Sequence, residues 1–259
     1  MAEGNGLTVL ARTAKRSGIF CDFDGCLAPI VDDPDEARAV DGADAILEGL
    51  AARFRVVAVV SGRSVADLAG RVRAPGVRLI GLHGMEELRD GRVQAAAGAE
   101  QWRAAVARAA ARLEEVGVSS GAVLERKGLA LAVHFRRAPD PEAAERLADP
   151  LVHEAAAAEG LVVVPGRRIL EVRPAGGGDK GDALGRVIRE EGLRGAMFGG
   201  DDVGDIPAFA ALDEVEVALR VAVASPESRT ELLERADLVV ESPEAFVALL
   251  EELARATAV

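Results

Sequence analysis

Carboxylates gather in two short stretches of this chain, and each stretch follows an apolar run. Asp22-Phe23-Asp24-Gly25 comes after Gly18-Ile19-Phe20-Cys21, and Gly199-Gly200-Asp201-Asp202-Val203-Gly204-Asp205 comes after Ala196-Met197-Phe198. Along an extended backbone alternate side chains share a side, so Asp22 and Asp24 project together while Phe23 turns toward a core. Five carboxylates converging on one site raise one another's pKa unless a cation compensates. Oxygen donors of this kind suit Mg2+, which takes one or two carboxylates together with phosphate oxygens and waters. Taken alone, each stretch reads as ordinary local structure: Asp-x-Asp-Gly is a turn signal, and Asp201-Asp202 complements a helix N-terminus. Their joint placement after two separate apolar runs favours one shared site.

Two further groups fit an anion-handling site. Ser61, in Val60-Ser61-Gly62-Arg63, also ends an apolar run, and its hydroxyl and the following backbone N–H groups at a helix start can hold a phosphate oxygen. A plain helix cap is the other reading, but Ser64 is the better cap candidate. Lys180 heads a helix after Pro174-Ala175-Gly176-Gly177-Gly178, where an ammonium neutralises both a nucleophile and a bound phosphate. A solvated lysine is the alternative, weakened by there being only Lys15, Lys127 and Lys180.

The elements that must position these groups alternate between short apolar runs and amphipathic stretches, the pattern of strand–helix units on a mainly parallel sheet. Strands are predicted at 18–22, 56–60, 77–82, 196–198 and 216–219, and helices at 43–53, 64–71, 182–191, 205–212 and from Glu244. Asp90-Gly91 marks a hairpin turn. The middle third differs: helices at 100–116 and 139–159 alternate with strand pairs at 123–126 and 129–136, and at 161–164 and 169–173. The expected fold is therefore α/β, a Rossmann-like core of residues 1–98 and 175–259 carrying an inserted α+β cap domain of residues 99–174. Trp102, the only tryptophan, is expected to pack the small core of that insertion.

Composition narrows the partners. The chain has 259 residues, 49% of them apolar and 29% charged, with 31 Lys+Arg against 43 Asp+Glu and a net charge of −12. That surplus repels phosphate backbones and anionic lipid, so no nucleic acid and no membrane partner is expected. No stretch approaches the roughly 20 apolar residues of a membrane span. The two cysteines, Cys21 and Cys26, suit free thiols in a reducing compartment. A cytoplasmic, soluble monomer is expected.

In this order, Asp22-Phe23-Asp24-Gly25, Ser61, Lys180 and Gly200-Asp201-Asp202 with Asp205 resemble the motifs of the haloacid dehalogenase superfamily of phosphohydrolases. Longer strings are similar to the trehalose-6-phosphate phosphatase family within it. They include Cys21-Asp22-Phe23-Asp24-Gly25-Cys26-Leu27-Ala28-Pro29-Ile30, Leu82-His83-Gly84-Met85-Glu86, Glu125-Arg126-Lys127-Gly128-Leu129 and Glu171-Val172-Arg173-Pro174. The resemblance implies a small-molecule sugar phosphate as substrate and Mg2+ as cofactor. By it, Asp22 is the nucleophile that forms an aspartyl-phosphate, and Asp24 the general acid and then base. Ser61 and Lys180 hold the phosphoryl oxygens. Mg2+ sits on the Asp22 side chain, the Asp24 backbone carbonyl and Asp201, with Asp202 and Asp205 orienting that shell. Glu125, Lys127 and Glu171 bind glucose hydroxyls, and Arg63, His83 and Gly84 line the entrance.

From spacing alone Glu125 and Lys127 are a cross-strand charge pair, and His134 and Arg136 a solvated strand face. The sequence departs from the family at Cys26, where a Thr or Ser is usual, and at Val203-Gly204-Asp205-Ile206-Pro207, which lacks polar and charged groups of the commoner fourth motif. Other readings are a phosphatase for sucrose phosphate or a mannosyl phosphate, and a sensor that binds a sugar phosphate without turnover.

Overall fold

The computed structural model describes residues 3–89, 91–96, 98–166, 168–225 and 228–257, with the backbone alone at 3–5 and 115–119. The chain opens with α1 (Glu3–Arg12), β1 (Ser17–Cys21), α2 (Ala43–Ala51), β2 (Val56–Val60), α3 (Val65–Arg71), β3 (Arg78–Gly81), β4 (Glu86–Arg89) and β5 (Arg92–Ala95). It continues with α4 (Ala99–Ser120), β6 (Val123–Arg126), β7 (Leu131–His134), α5 (Pro141–Ala158), β8 (Leu161–Gly166) and β9 (Ile169–Pro174). The last third holds α6 (Lys180–Glu191), β10 (Gly195–Gly200), α7 (Ile206–Ala211), β11 (Val217–Val223), α8 (Thr230–Arg235), β12 (Leu238–Val240) and α9 (Pro243–Ala256). Two compact units result: Met1–Gln94 with Gly178–Val259, and Ala95–Gly177.

In the first unit an eight-stranded sheet runs in the order β12-β11-β10-β1-β2-β3-β4-β5. The strands from β12 to β3 are parallel, and β4 returns antiparallel to β3. The central strands are apolar throughout because both faces are covered. Ile19, Val57, Val59 and Met197 pack with Leu47, Leu50, Phe246 and Leu250 of α2 and α9. Phe20, Ala58, Val60 and Phe198 pack on the other face with Leu184, Val187 and Phe209 of α6 and α7. After β1 the chain builds β2 and β3 on one side, and it later builds β10, β11 and β12 on the other. The carboxyl ends of β1 and β10 therefore lie at a topological switch point, the crevice where open α/β sheets bind ligands. Cys21 registers with Gly199, so the two acidic stretches emerge side by side.

The second unit is a four-stranded antiparallel sheet, β6-β7-β9-β8. Leu131, Val133, Leu170 and Val172 on one face pack with Val106, Ala109, Leu113 and Val152 of α4 and α5, and Trp102 is packed against the same core. The opposite face carries Glu125, Lys127, His134 and Glu171.

The α/β class with a mainly parallel sheet and a separate antiparallel one is as the sequence predicts. Several elements were not predicted: α1, β4, β5, α8 and β12. Of the expected hairpin turn at Asp90-Gly91, Asp90 lies outside the described residues, and Gly91 has a φ of 71°.

Candidate active site

Asp22 is the first residue beyond β1. Its backbone N–H donates to the Gly199 carbonyl at 2.9 Å, tying the loop to the end of β10. One carboxylate oxygen accepts the Phe23 N–H at 2.7 Å, and the other lies 2.6 Å from Lys180 Nζ. Phe23 is fully buried in the core, as the alternation predicts, which leaves Asp22 and Asp24 turned from it. The Leu27 and Ala28 N–H groups close the loop onto the Phe23 carbonyl.

Asp201 and Asp205 come from the end of β10. Asp205 has no exposed surface: one oxygen accepts the backbone N–H groups of Asp201 and Asp202 at 2.9 and 3.2 Å, and the other takes Lys180 Nζ at 2.6 Å. Asp202, half-buried, caps the short turn that follows through the Val203 N–H. The close approach of the two loops depends on glycine. Gly25 has a φ of +78°, and a Cβ there would stand 2.1 Å from the Asp201 carboxylate. A Cβ on Gly200 would meet the Asp205 side chain at 2.5 Å.

Lys180 occupies the first turn of α6, whose N-terminus is closed by a reciprocal Asp179–Asp182 capping box. An ammonium there opposes the helix dipole, and the two carboxylates overcome that. Burial disfavours its charge, but Asp205 and Asp22 more than offset this and hold Lys180 above the ordinary lysine range. For Asp22, burial pushes the carboxyl up; Lys180 pulls it down, and Asp205 and Asp24 push it up again, for a net rise.

Carboxylate oxygens of Asp22, Asp201 and Asp205 all lie within 4.8 Å of one another and are buried. Three buried carboxyl groups thus lie together, two of them on the Lys180 ammonium, and the donor set is hard oxygen, which fits a divalent cation of the Mg2+ type. This cluster contains Asp205 and not the Asp24 side chain. The sequence placed Asp205 in an orienting role and Asp24 at the metal through its backbone carbonyl. The Asp24 carboxylate is instead gripped at two points by Arg63, at 2.7 Å each from Nε and Nη2. Arg63 also binds Asp67 at 2.7 Å and the Pro34 carbonyl at 3.0 Å, so it is a buried side chain.

Ser61 is buried at the end of β2. Its N–H donates to the Ile80 carbonyl at 3.0 Å, and its hydroxyl accepts the Arg63 N–H at 3.2 Å. The amides that the sequence offered to a phosphate at this helix start are in part already engaged. The Val65 N–H goes to the buried Glu86 carboxylate and the Asp67 N–H to Ser64. Ser64 is thus the cap, as predicted, and Glu86 is a second cap reaching from β4 that the sequence did not reveal.

Leu82, His83 and Gly84 have consecutive positive φ values of 49°, 57° and 109°. Left-handed backbone at non-glycine residues is a strain held by its surroundings, here beside the Ser61 loop: the His83 N–H donates to the Ser61 carbonyl at 2.9 Å, and a Cβ on Gly62 would lie 2.9 Å from the imidazole. Cys26 is fully buried, and burial together with Asp201, Asp22 and Asp205 pushes its thiol well above the normal range, so it stays neutral.

In the second unit Lys127 Nζ lies 3.3 Å from Glu171 and 3.7 Å from Glu125. His134 Nε2 is 2.8 Å from Glu125 Oε2. His134 is therefore part of this polar row rather than a solvated residue of the strand face.

A family model described as Trehalose-phosphatase matches residues 20–236. The chain is 40% identical over 205 residues to a trehalose-phosphate phosphatase of Mycobacterium avium, covering 76% of this chain and 52% of that protein. It is 38% identical over 228 residues to one of Mycobacterium marinum, covering 85% and 56%. The chain thus spans about half the length of these curated relatives. The solved C-terminal domain of a Candida albicans trehalose-6-phosphate phosphatase superposes with a TM-score of 0.79 at 25% identity over 97% of both chains. A trehalose-6-phosphate phosphatase related protein gives a TM-score of 0.78 at 26% identity, covering 92% of this chain and 97% of that one. A phosphatase of the haloalkanoate (HAD) enzyme superfamily from Bacteroides thetaiotaomicron, at 18% identity and a TM-score of 0.59, shares the fold. The chain belongs to the trehalose-phosphatase family.

Proposed function

We propose that this protein is a phosphoric monoester hydrolase that converts trehalose 6-phosphate to trehalose and inorganic phosphate. The observation that carries the reading is the buried group of Asp22, Asp201, Asp205 and Lys180 at the switch point of the sheet, in a chain of the trehalose-phosphatase family.

In the first half-reaction an oxygen of ionised Asp22 attacks phosphorus, the bond from phosphorus to the sugar oxygen breaks, and Asp24, protonated and with one of its two Arg63 contacts released, delivers its proton to that oxygen. In the second, Asp24 takes a proton from water, whose oxygen attacks phosphorus and releases Asp22 and phosphate. Lys180, already 2.6 Å from Asp22, and Ser61 hold the phosphoryl oxygens as charge redistributes. Arg63 fixes the direction of the Asp24 carboxylate. Mg2+ would be held by Asp22 and Asp201, with Asp205 beside them and the Asp24 carbonyl as a further donor, and would offset charge on the phosphoryl group. The inserted residues 99–174 set specificity, with Glu125, Lys127 and Glu171 taking glucose hydroxyls. Two buried thiols suit a protein of the reducing cytoplasm.

The covalent step is tested by acid-quenching the protein during turnover and mapping its peptides by mass. A phosphoryl adduct on the peptide carrying Asp22, lost in Asp22→Asn, is expected. Turnover with the adduct on another residue, or with none at any quench time, would overturn the nucleophile assignment.

A further inference from the structure

We infer that His134 is a positioning residue for sugar recognition, acting through Glu125; this rests on the reading above that Glu125 and Lys127 take sugar hydroxyls. On β6 and β7, Val123 pairs with His134 and Glu125 with Ala132. His134 and Glu125 are therefore diagonal neighbours on one face, a separation that two long side chains can bridge. They do so, with Nε2 2.8 Å from Oε2. The same Glu125 oxygen is 3.7 Å from Lys127 Nζ, which in turn lies 3.3 Å from Glu171.

The four side chains differ in how firmly the fold holds them. Those of Lys127 and Glu171 are each 9% exposed and are fixed by burial, whereas that of Glu125 is 42% exposed. A half-open glutamate keeps its rotamer freedom unless something anchors it, and that freedom must be given up on binding a ligand. The imidazole, 20% exposed on a strand whose other face packs the core, is the more rigid partner. It secures one oxygen of a carboxylate that has about four lone-pair directions to offer. Glu125 is thus oriented before a hydroxyl arrives.

The test compares kcat/KM for trehalose 6-phosphate with that for p-nitrophenyl phosphate, which has no sugar, in His134→Gln, His134→Asn and Glu125→Ala. Glutamine places an N–H near the position of Nε2, and asparagine is too short to reach Glu125. His134→Asn is expected to lower the ratio about tenfold, through KM, as for loss of a hydrogen bond to a charged group. His134→Gln should recover most of that loss. A fall in both substrates together, or equal ratios for the Gln and Asn variants, would overturn the inference. If Glu125→Ala lowers the ratio while neither His134 variant does, the sugar site stands and the role of His134 falls. If Glu125→Ala leaves the ratio unmoved, the reading of the sugar site falls with it.

Discussion

Asp22 and Asp205 both sit on the Lys180 ammonium and Asp201 lies beside them, and that crowding of carboxylates governs the behaviour of the site. Because burial leads the net rise of the Asp22 carboxyl, its ionised form is disfavoured in the metal-free fold. A raised folded-state value contributes stability below the unfolded value, near 4, and loses it as pH rises through the folded one. Asp22→Asn should therefore raise the Tm of the metal-free protein by about a few degrees at pH 8 and leave it unchanged at pH 4. Thermal melts in chelator will show this. Adding Mg2+ should raise the Tm of the parent and have a smaller effect on Asp22→Asn. Gly25→Ala forces a Cβ into the Asp201 carboxylate and should lower phosphate release by about a hundredfold or more, the size reached when active-site geometry is displaced. A near-parental rate would show that the two loops separate freely. The gathering of Asp22, Asp201 and Lys180 was legible in the sequence because each stands at the end of an apolar run or the head of a helix. Glu86 and the pairing of His134 with Glu125 were not, since each depends on a strand neighbour that spacing along the chain does not reveal.

At the scale of elements, β3, β4 and α6 are joined by a buried charge. Glu87 on β4 accepts Arg78 of β3 and Arg89 through one oxygen, and Arg186 of α6 through the other at 2.9 Å. Burial alone would raise Glu87, but the three guanidinium groups outweigh it and hold the carboxyl below its usual range. Stability from such a group is present above the unfolded value and lost as pH falls through the lowered one. Glu87→Gln leaves arginines facing a neutral amide and should destabilise by about 2–4 kcal/mol at pH 7. The difference from the parent should shrink below pH 4, as denaturant melts at the two pH values will report. This network also explains why β4 escaped the sequence: Glu86-Glu87-Leu88-Arg89 reads as exposed, yet both glutamates are buried, one on a helix N-terminus and one among arginines. Other missed elements were short or weakly patterned. β12 has three residues, and α1 contains Gly4 and Gly6. By contrast β2, five buried apolar residues, was read with its observed bounds.

Over the whole molecule the net charge of −12 says little about the site itself, because the negative charge that bears on it is local. The switch point of the first unit gathers carboxylates that only a cation makes hospitable to an anionic substrate, while the second unit carries a row of groups suited to hydroxyls. The superfamily resemblance was readable from four ordered motifs and the family from longer strings such as Leu82–Glu86 and Glu125–Leu129, whereas the pairings within the polar row depend on strand neighbours that only the folded sheet supplies. The most direct test of the central claim is phosphate release by the purified protein from a panel of trehalose 6-phosphate, sucrose 6-phosphate, a mannosyl phosphate and glucose 6-phosphate, each with Mg2+ and with chelator. Trehalose 6-phosphate is expected to give the highest kcat/KM, lost in chelator and in Asp22→Asn. Faster hydrolysis of another sugar phosphate, or binding of trehalose 6-phosphate with no phosphate released, would contradict it.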